Sequence, residues 1–454
     1  MTTIERLSDE DARILARERG AVRGHFCKIL VIAGRHDPRS LRTHVEPRLA
    51  ALPRLRDRLL AAPLGLAPPA WLPDPEFALH RHVRDGGRAY DQAQLERTVA
   101  ALMEERLDRE QPLWSIDVVA LDEDRTALVL RLHHCMADGA TAMRIIRTLL
   151  VDQHAPGPAG GLGGATPFAE RPSRVTLLVD ALRWRAAWLA QRARRRRGPA
   201  PADGDGRRNG RLAAIRRELA LEGRPSPLAR PAGPRRQVAF SSFPLEAMKA
   251  LGHSAPERAT VNDVVLAAVA GGLRRWLAHT GAEAHQMRVK VPVSLHASNE
   301  AATANRDSFM VVHLPLDESD PVARLCAIAA DTRERKAAHD ADQLDAFFND
   351  LGRLSRSLER LAQRWAMSPR VFALNVSNVP GPQGELTVMG SPLLEMHTVA
   401  EIAERHALRV AVVSAVGRLS FGLCADADAV VGLDVVRDGI GAELEALRAA
   451  LPTA

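Results

Sequence analysis

The sequence predicts a mixed α/β protein built as two units. Runs with an apolar period of two alternate with runs of helical period in both halves of the chain. At 454 residues the chain exceeds one ordinary core. A stretch rich in Gly, Pro and Arg separates the halves. The expected division is an N-terminal domain over 1–155, a connecting segment over 156–236, and a C-terminal domain over 237–454.

In the first portion, Phe26 to Ala33 reads as a strand, and Ser40 to Ala61 and Asp91 to Leu107 as helices. Ser115 to Leu121 is a strand, with Trp114, Ile116 and Val118 on one face. Arg125 to His134 alternates: Leu128, Leu130, Leu132 and His134 form one row, and Val129, Arg131 and His133 the other. His134 thus continues the apolar, inward row. Ala140 to Leu150 is a helix with Met143, Ile146 and Leu150 inward and Arg144 and Arg147 outward.

Pro156 to Gly164 and Arg192 to Gly210 read as mobile connections. Their glycines follow no strand, which removes a dinucleotide fingerprint or phosphate loop. Between them Ser173 to Arg197 is helical, with Trp184 and Trp188 spaced to pair and Arg183, Arg185 and Arg192 interspersed. Such a helix suits an anionic bilayer surface, and equally suits packing on its own domain.

From Gln237 a second α/β unit begins. Thr260 and Asp263 frame a capping box for a helix over Val261 to Ala278. Strands follow over Met287 to Val293, Arg306 to Leu316 and Val371 to Val379, with a helix from Pro321 to Lys336. Arg409 to Val416 and Arg418 to Cys424 form a hairpin around Gly417.

Composition narrows the function. The net charge is +7 and nearly all cations are arginine, which favours anionic cofactors or anionic lipid surfaces. Aromatics are scarce at 4%, and no recognition helix, zinc finger or stacking motif accompanies the charge, so a nucleic-acid partner is not expected. The four cysteines, Cys27, Cys135, Cys326 and Cys424, are far apart without metal-type spacing, as in a reducing cytosol. The N-terminus is too acidic and polar for a signal peptide, and no apolar run reaches spanning length. A cytoplasmic protein without a resident metal or cofactor is expected.

The chemistry concentrates in Leu132-His133-His134-Cys135-Met136-Ala137-Asp138-Gly139. An imidazole is the side chain best suited to taking a proton from an alcohol near neutral pH. Here two of them end a strand just before a helix, with a carboxylate to shape the turn. By itself the pattern is equally a hydrogen-bonded histidine pair with Asp138 as an ordinary N-cap. A metal triad is disfavoured because adjacent strand residues face opposite ways. Cys135 lacks a nucleophile signature and reads as packing.

Other segments add to this one. Leu7-Ser8-Asp9-Glu10-Asp11, Leu107-Asp108-Arg109 with Pro112-Leu113-Trp114, His133 to Gly139, Val261-Asn262-Asp263-Val264-Val265, Val291-Pro292-Val293-Ser294-Leu295 and Ser377-Asn378-Val379-Pro380-Gly381-Pro382 occur in that order. Together they resemble the bacterial wax ester synthase/acyl-CoA:diacylglycerol acyltransferase family. The resemblance implies two domains like chloramphenicol acetyltransferase, with an active-site tunnel between them.

It also implies transfer of a fatty acyl group from acyl-CoA, a co-substrate, to a long-chain alcohol or diacylglycerol. His134 matches the catalytic base, His133 its less critical neighbour, Asp138 a structural aspartate, and Gly139 a close backbone passage. Asn262 becomes a candidate for stabilising charge. Trp114, Asn378, Pro380 and Gly381 are candidates for the substrate path, although Trp114 suits core packing and Asn378 to Pro382 a rigid turn. Peripheral attachment to the inner membrane face or to lipid droplets fits the same resemblance.

The chain departs from the family pattern at His296, where arginine is common, at Ala304-Asn305, and at Ser414-Ala415-Val416-Gly417, which lacks a tyrosine. These departures leave the acyl chain length, the acceptor and the oligomeric state open. They also admit a non-lipid hydroxyl or amine acceptor, or a non-catalytic lipid-surface protein.

Overall fold

A computed structural model describes residues 4–122, 124–153, 173–197, 205–221, 226–294, 307–354 and 356–451. His296, Ala304-Asn305 and the Pro156 to Gly164 connection lie outside them. In chain order the elements are α1 (Asp9–Arg17), β1 (His25–Ala33), α2 (Pro38–Val45), β2 (Asp57–Leu60), β3 (Ala70–Pro73), α3 (Leu79–His82), β4 (Val83–Arg88), α4 (Gln92–Glu104), β5 (Trp114–Ala120) and β6 (Arg125–His133). Next come α5 (Gly139–Leu149), α6 (Arg174–Arg197), α7 (Asp205–Leu219), β7 (Arg236–Pro244), α8 (Leu245–Ser254), α9 (Val261–His279), β8 (Met287–Ser294), β9 (Asp307–Leu314), α10 (Pro321–Ala337), α11 (Asp340–Leu354) and α12 (Arg356–Ala366). The chain closes with β10 (Leu374–Pro380), β11 (Thr387–Val388), β12 (Ser391–Ala400), β13 (Leu408–Ala415), β14 (Arg418–Asp426) and α13 (Leu433–Ala450).

These elements form two compact units. Among the described residues, the first takes those up to 197 and 381–401, and the second takes those over 205–294, 307–380 and 402–451. This differs from the division read from the sequence. The segment 381–401 lies in the C-terminal half yet β12 pairs antiparallel with β1, from Phe26 opposite Ala400 to Ile32 opposite Leu393. The connecting segment is not a separate body either, because α6 joins the first unit and α7 the second.

In the first unit a six-stranded sheet has the order β11-β12-β1-β6-β5-β4, mixed because β4 runs parallel to β5. Its central strands β1 and β6 are buried on both faces. The period-two reading of β6 as inward on one side only is therefore corrected. Arg131 and His133 are as buried as the leucines, because α4 covers their face: Arg131 Nη1 donates to the Leu102 carbonyl at 3.1 Å, and Cys27 meets the Met103 sulfur at 3.3 Å. The helix expected over Ser40 to Ala61 is also corrected. It stops at Val45, and 3₁₀ turns over Glu46–Ala51 and Pro53–Arg56 lead into β2, since Pro47 and Pro53 cannot continue the hydrogen-bond ladder.

The second unit has a sheet ordered β7-β14-β13-β10-β8-β9. The β13–β14 hairpin turns at Val416 and Gly417, both at positive φ, as a two-residue hairpin turn requires. The capping box of α9 is present as expected: Thr260 Oγ1 accepts from the Asp263 N–H at 3.3 Å, and Asp263 Oδ2 accepts from the Thr260 N–H at 2.8 Å. Helices α9 and α13 approach closely over glycines, since a Cβ on Gly272 would sit 2.6 Å from the Val436 carbonyl oxygen. The buried pair Arg324–Glu443, with Nε to Oε1 at 3.1 Å, ties α10 to α13. Glu218 of α7 accepts from the Val311 N–H of β9 and pairs with Arg335, so a helix begins where the sequence reads as a mobile connection.

One core position is chemically unusual. Lys28 lies in the middle of β1, only 2% exposed, opposite Thr398 and Leu130. Among the described residues no carboxylate pairs with it, and burial pushes its ammonium down to about 7. The unfolded chain binds this proton up to near pH 10, so between pH 7 and 10 the folded state gains stability as pH rises. Lys28→Met is expected to raise stability at pH 7.5 by about 1–4 kcal/mol. That gain should shrink towards pH 10.5, as followed by thermal melts at both values. A variant less stable at both would show that the ammonium is solvated.

Candidate active site

The motif residues sit where β6 hands over to α5. The strand ends at His133, one residue earlier than its alternation predicts, and His134 occupies the turn, half-buried. The His134 N–H donates to the Gly24 carbonyl at 2.9 Å. Its ring packs on Phe26, with centroids 4.7 Å apart and planes at 47°. Phe26 belongs to the β1 row opposite Leu132 and adjacent to the Lys28 row position, so His134 lies on that sheet face.

His133 turns to the other face, at 1% exposure. The Cys135 N–H donates to its Nδ1 at 3.1 Å, and its carbonyl accepts from the Met136 N–H at 2.9 Å. Its Nε2 faces Glu18 Oε2 at 3.6 Å, an electrostatic contact longer than a hydrogen bond. Burial alone would raise the Glu18 carboxyl, but His133 and Arg109 outweigh it and hold it below its ordinary range. Arg109 binds Glu18 Oε2 through Nη2 and through Nε at 3.0 Å. His25, opposite His133 in the sheet and fully buried, is pushed down to about 3 by burial and then by Arg131.

Asp138 is the N-cap of α5: its carboxylate accepts from the Thr141 N–H at 2.6 Å. Gly139 is the first residue of that helix and has no positive φ. Cys135 is buried, and burial pushes its thiol strongly up, which fits packing and not attack. With the two imidazoles on opposite faces they cannot share an ion, and among the described residues no cluster of His, Cys, Asp and Glu has metal-binding geometry.

The remaining candidates fall in different places. Trp114 opens β5 at 1% exposure, stacks on His82 at 4.7 Å, and donates Nε1–H to the Leu55 carbonyl at 2.7 Å. Its ring and its N–H are both committed within the core of the first unit, in line with the packing reading. Asn262 stands in the first turn of α9 in the second unit, half-buried. Beside it Asp263 is a cap whose Oδ1 also accepts from the Thr332 hydroxyl at 2.7 Å. Asn378 and Pro380 are not in a turn: β10 continues through them, with Asn378 opposite Val412 and Pro380 opposite Ser414. Gly381 is buried and begins the return of the chain into the first unit.

Sequence reasoning missed Glu18, Gly24 and Phe26. Each acts over a long sequence separation, and none carries a local pattern. Only Gly24, just before an apolar strand, offered a signal.

Comparison with known proteins agrees with this geometry. The wax ester synthase/diacylglycerol acyltransferase catalytic domain matches residues 7–265, and the WS/DGAT C-terminal domain matches residues 303–448. A Mycobacterium tuberculosis protein named as a diacylglycerol O-acyltransferase is 32% identical over 466 residues, 94% of this chain and 93% of its own. A second from that organism is 29% identical over 423 residues, 89% of this chain and 86% of its own. Among solved structures, the wax ester synthase/diacylglycerol acyltransferase from Marinobacter aquaeolei is similar with a TM-score of 0.67 and 22% identity, covering 98% and 99% of the two chains. The first condensation domain of the CDA synthetase is similar with a TM-score of 0.60 and 17% identity, covering 100% and 98%. The structural likenesses establish the fold, two α/β units of the chloramphenicol acetyltransferase type. The matched domains, the ordered motifs and the strand–turn–helix that carries the histidines together show that this chain belongs to the wax ester synthase/diacylglycerol acyltransferase family.

Proposed function

We propose that His134 is the general base with which this acyl-CoA-dependent O-acyltransferase moves a fatty acyl group to the hydroxyl of a long-chain alcohol or diacylglycerol. The observation that carries this is the placement of His134, in a turn whose backbone is tied to Gly24 and whose ring rests on Phe26. The imidazole takes the proton of the acceptor hydroxyl as its oxygen bonds to the thioester carbonyl carbon. The tetrahedral oxyanion then collapses, the C–S bond breaks, and the imidazolium returns its proton to the CoA thiolate. No covalent enzyme intermediate is needed. Asn262 stands in a helix first turn of the second unit, where donors and dipole favour negative charge. Asp138 acts through the helix it caps.

His134→Ala is expected to lower CoA release from palmitoyl-CoA with hexadecanol or dioleoylglycerol by ~10²–10⁴-fold. Turnover at the wild-type rate would remove the mechanism. Asp138→Ala should cost about 0.5–2 kcal/mol of stability through the lost cap and reduce the rate, whereas Asp138→Asn keeps an acceptor and most of both. Equal losses in the two variants, by thermal melt and rate, would show that the charge and not the cap matters.

We also infer that α6 rests on a lipid surface. Among the described residues no helix is long and apolar enough to cross a membrane. One side of α6 is held to its own unit by Leu177, Ala181 and the Asp180–Arg6 pair. The other side exposes Val175, Leu182 and Leu189 beside Arg185, which lies over the Trp188 ring at 4.9 Å. An apolar and basic face of this kind suits anionic headgroups. Leu182→Ser with Leu189→Ser is expected to weaken sedimentation with phosphatidylglycerol vesicles severalfold. Unchanged sedimentation would exclude α6 as the contact.

A further inference from the structure

We propose that Glu18 is a positioning residue for acyl transfer, acting through His133 and not through His134. This rests on His134 being the base, and it assigns the work of the first histidine of the pair to a carboxylate 115 positions away in the chain, 18 against 133.

The argument begins with hydrogen bonds around the His133 ring. Nδ1 accepts from the Cys135 N–H, so the ring proton is on Nε2. A proton on Nδ1 would oppose one N–H to another and release the tight turn after β6. Nε2–H faces Glu18 Oε2 at 3.6 Å, where the carboxylate favours a proton on that side of the ring. Glu18 is itself fixed, since Arg109 binds Oε2 and also donates to the Leu15 carbonyl at 3.2 Å. Arg106 stands 4.0 Å from Oε1. The chain runs Arg109, Glu18, His133, Cys135 amide, and it ends on the residue that follows His134.

Gly24 closes the clamp. Its φ is +73°, and a Cβ there would lie 2.6 Å from His133 Nε2 and 3.3 Å from the Glu18 Cβ. The same residue accepts the His134 N–H through its carbonyl. One glycine therefore seats the positioning histidine with its bare face and the base with its oxygen. Glu18 cannot be a base in its own right. Its side chain is 1% exposed, is committed to Arg109, and lies with His133 on the sheet face opposite the His134 ring.

The charged and titratable groups around this ring come from every packed element. They are His25 on β1, Arg131 on β6, Asp117 on β5, Glu105 after α4, and Arg106 and Arg109 on the following loop. His25, pushed down by burial, stays uncharged near pH 7, and Arg131 is engaged by Asp117 at 3.4 Å and Glu105 at 3.4 Å. Among these, Glu18 is the carboxylate within 4 Å of the His133 ring.

The test labels the histidines of the full-length protein with ¹⁵N and reads the His133 tautomer by NMR, assigned with His133→Gln, alongside the kinetics. In the wild type His133 should show an unprotonated Nδ1 and a protonated Nε2. Glu18→Ala should shift that signal towards a tautomer mixture and lower kcat roughly tenfold to a hundredfold, with KM for palmitoyl-CoA held within about twofold. Glu18→Gln, which keeps an oxygen acceptor, should restore the tautomer and most of kcat. Gly24→Ala, whose methyl displaces the ring, should reproduce the Glu18→Ala signature if Glu18→Ala does not fold.

Folded variants with the wild-type tautomer and kcat would overturn the proposal, as would a fall in kcat with the tautomer unchanged. The two readings fail separately. The His133 tautomer measured in His134→Ala reports on Glu18, whereas turnover in that variant reports on the base.

Discussion

The turn between β6 and α5 is tied at three points, and the site depends on those ties. His133 Nδ1 receives the Cys135 N–H, Gly24 receives the His134 N–H, and Asp138 receives the Thr141 N–H. Each bond is an ordinary one, worth on the order of 1 kcal/mol. Their joint effect is geometric, because they fix the backbone on both sides of His134 while leaving its ring to pack on Phe26. A base is effective only when held within reach of its proton. The other features of the first unit serve that end, including a central sheet buried on both faces and a cap that starts α5 where the turn finishes.

The same constraint separates the two imidazoles. The sheet divides them, giving His133 a face with Glu18, His25 and Arg131, and His134 a face with Phe26. One histidine therefore shapes the turn, while its neighbour is left on the other face as the proposed base. The two rings so divided point away from a common centre.

Much of this was legible in the sequence, and the exceptions have physical causes. The capping box at Thr260 and Asp263, the hairpin at Gly417 and the helix after Asp138 announce themselves through local rules, and each is where those rules put it. The two histidines could be placed on opposite faces from alternation alone. What alternation did not show is that the row of Arg131 and His133 is as buried as the row of leucines, because that burial depends on α4, which packs over their face. The partners of Trp114 stayed hidden for a similar reason: His82 and the Leu55 carbonyl lie far away in sequence. Glu18 stayed hidden because a buried carboxylate near the N-terminus resembles any helix-end charge until Arg109 and His133 are brought to it.

The most direct measurement of the central claim is a crystal structure of the protein with an unreactive thioether analogue of palmitoyl-CoA and hexadecanol bound together. The account predicts the alcohol oxygen within about 2.6–3.2 Å of a ring nitrogen of His134. An alcohol bound with its hydroxyl against a different base, and with the His134 ring beyond the reach of both substrates, would contradict it.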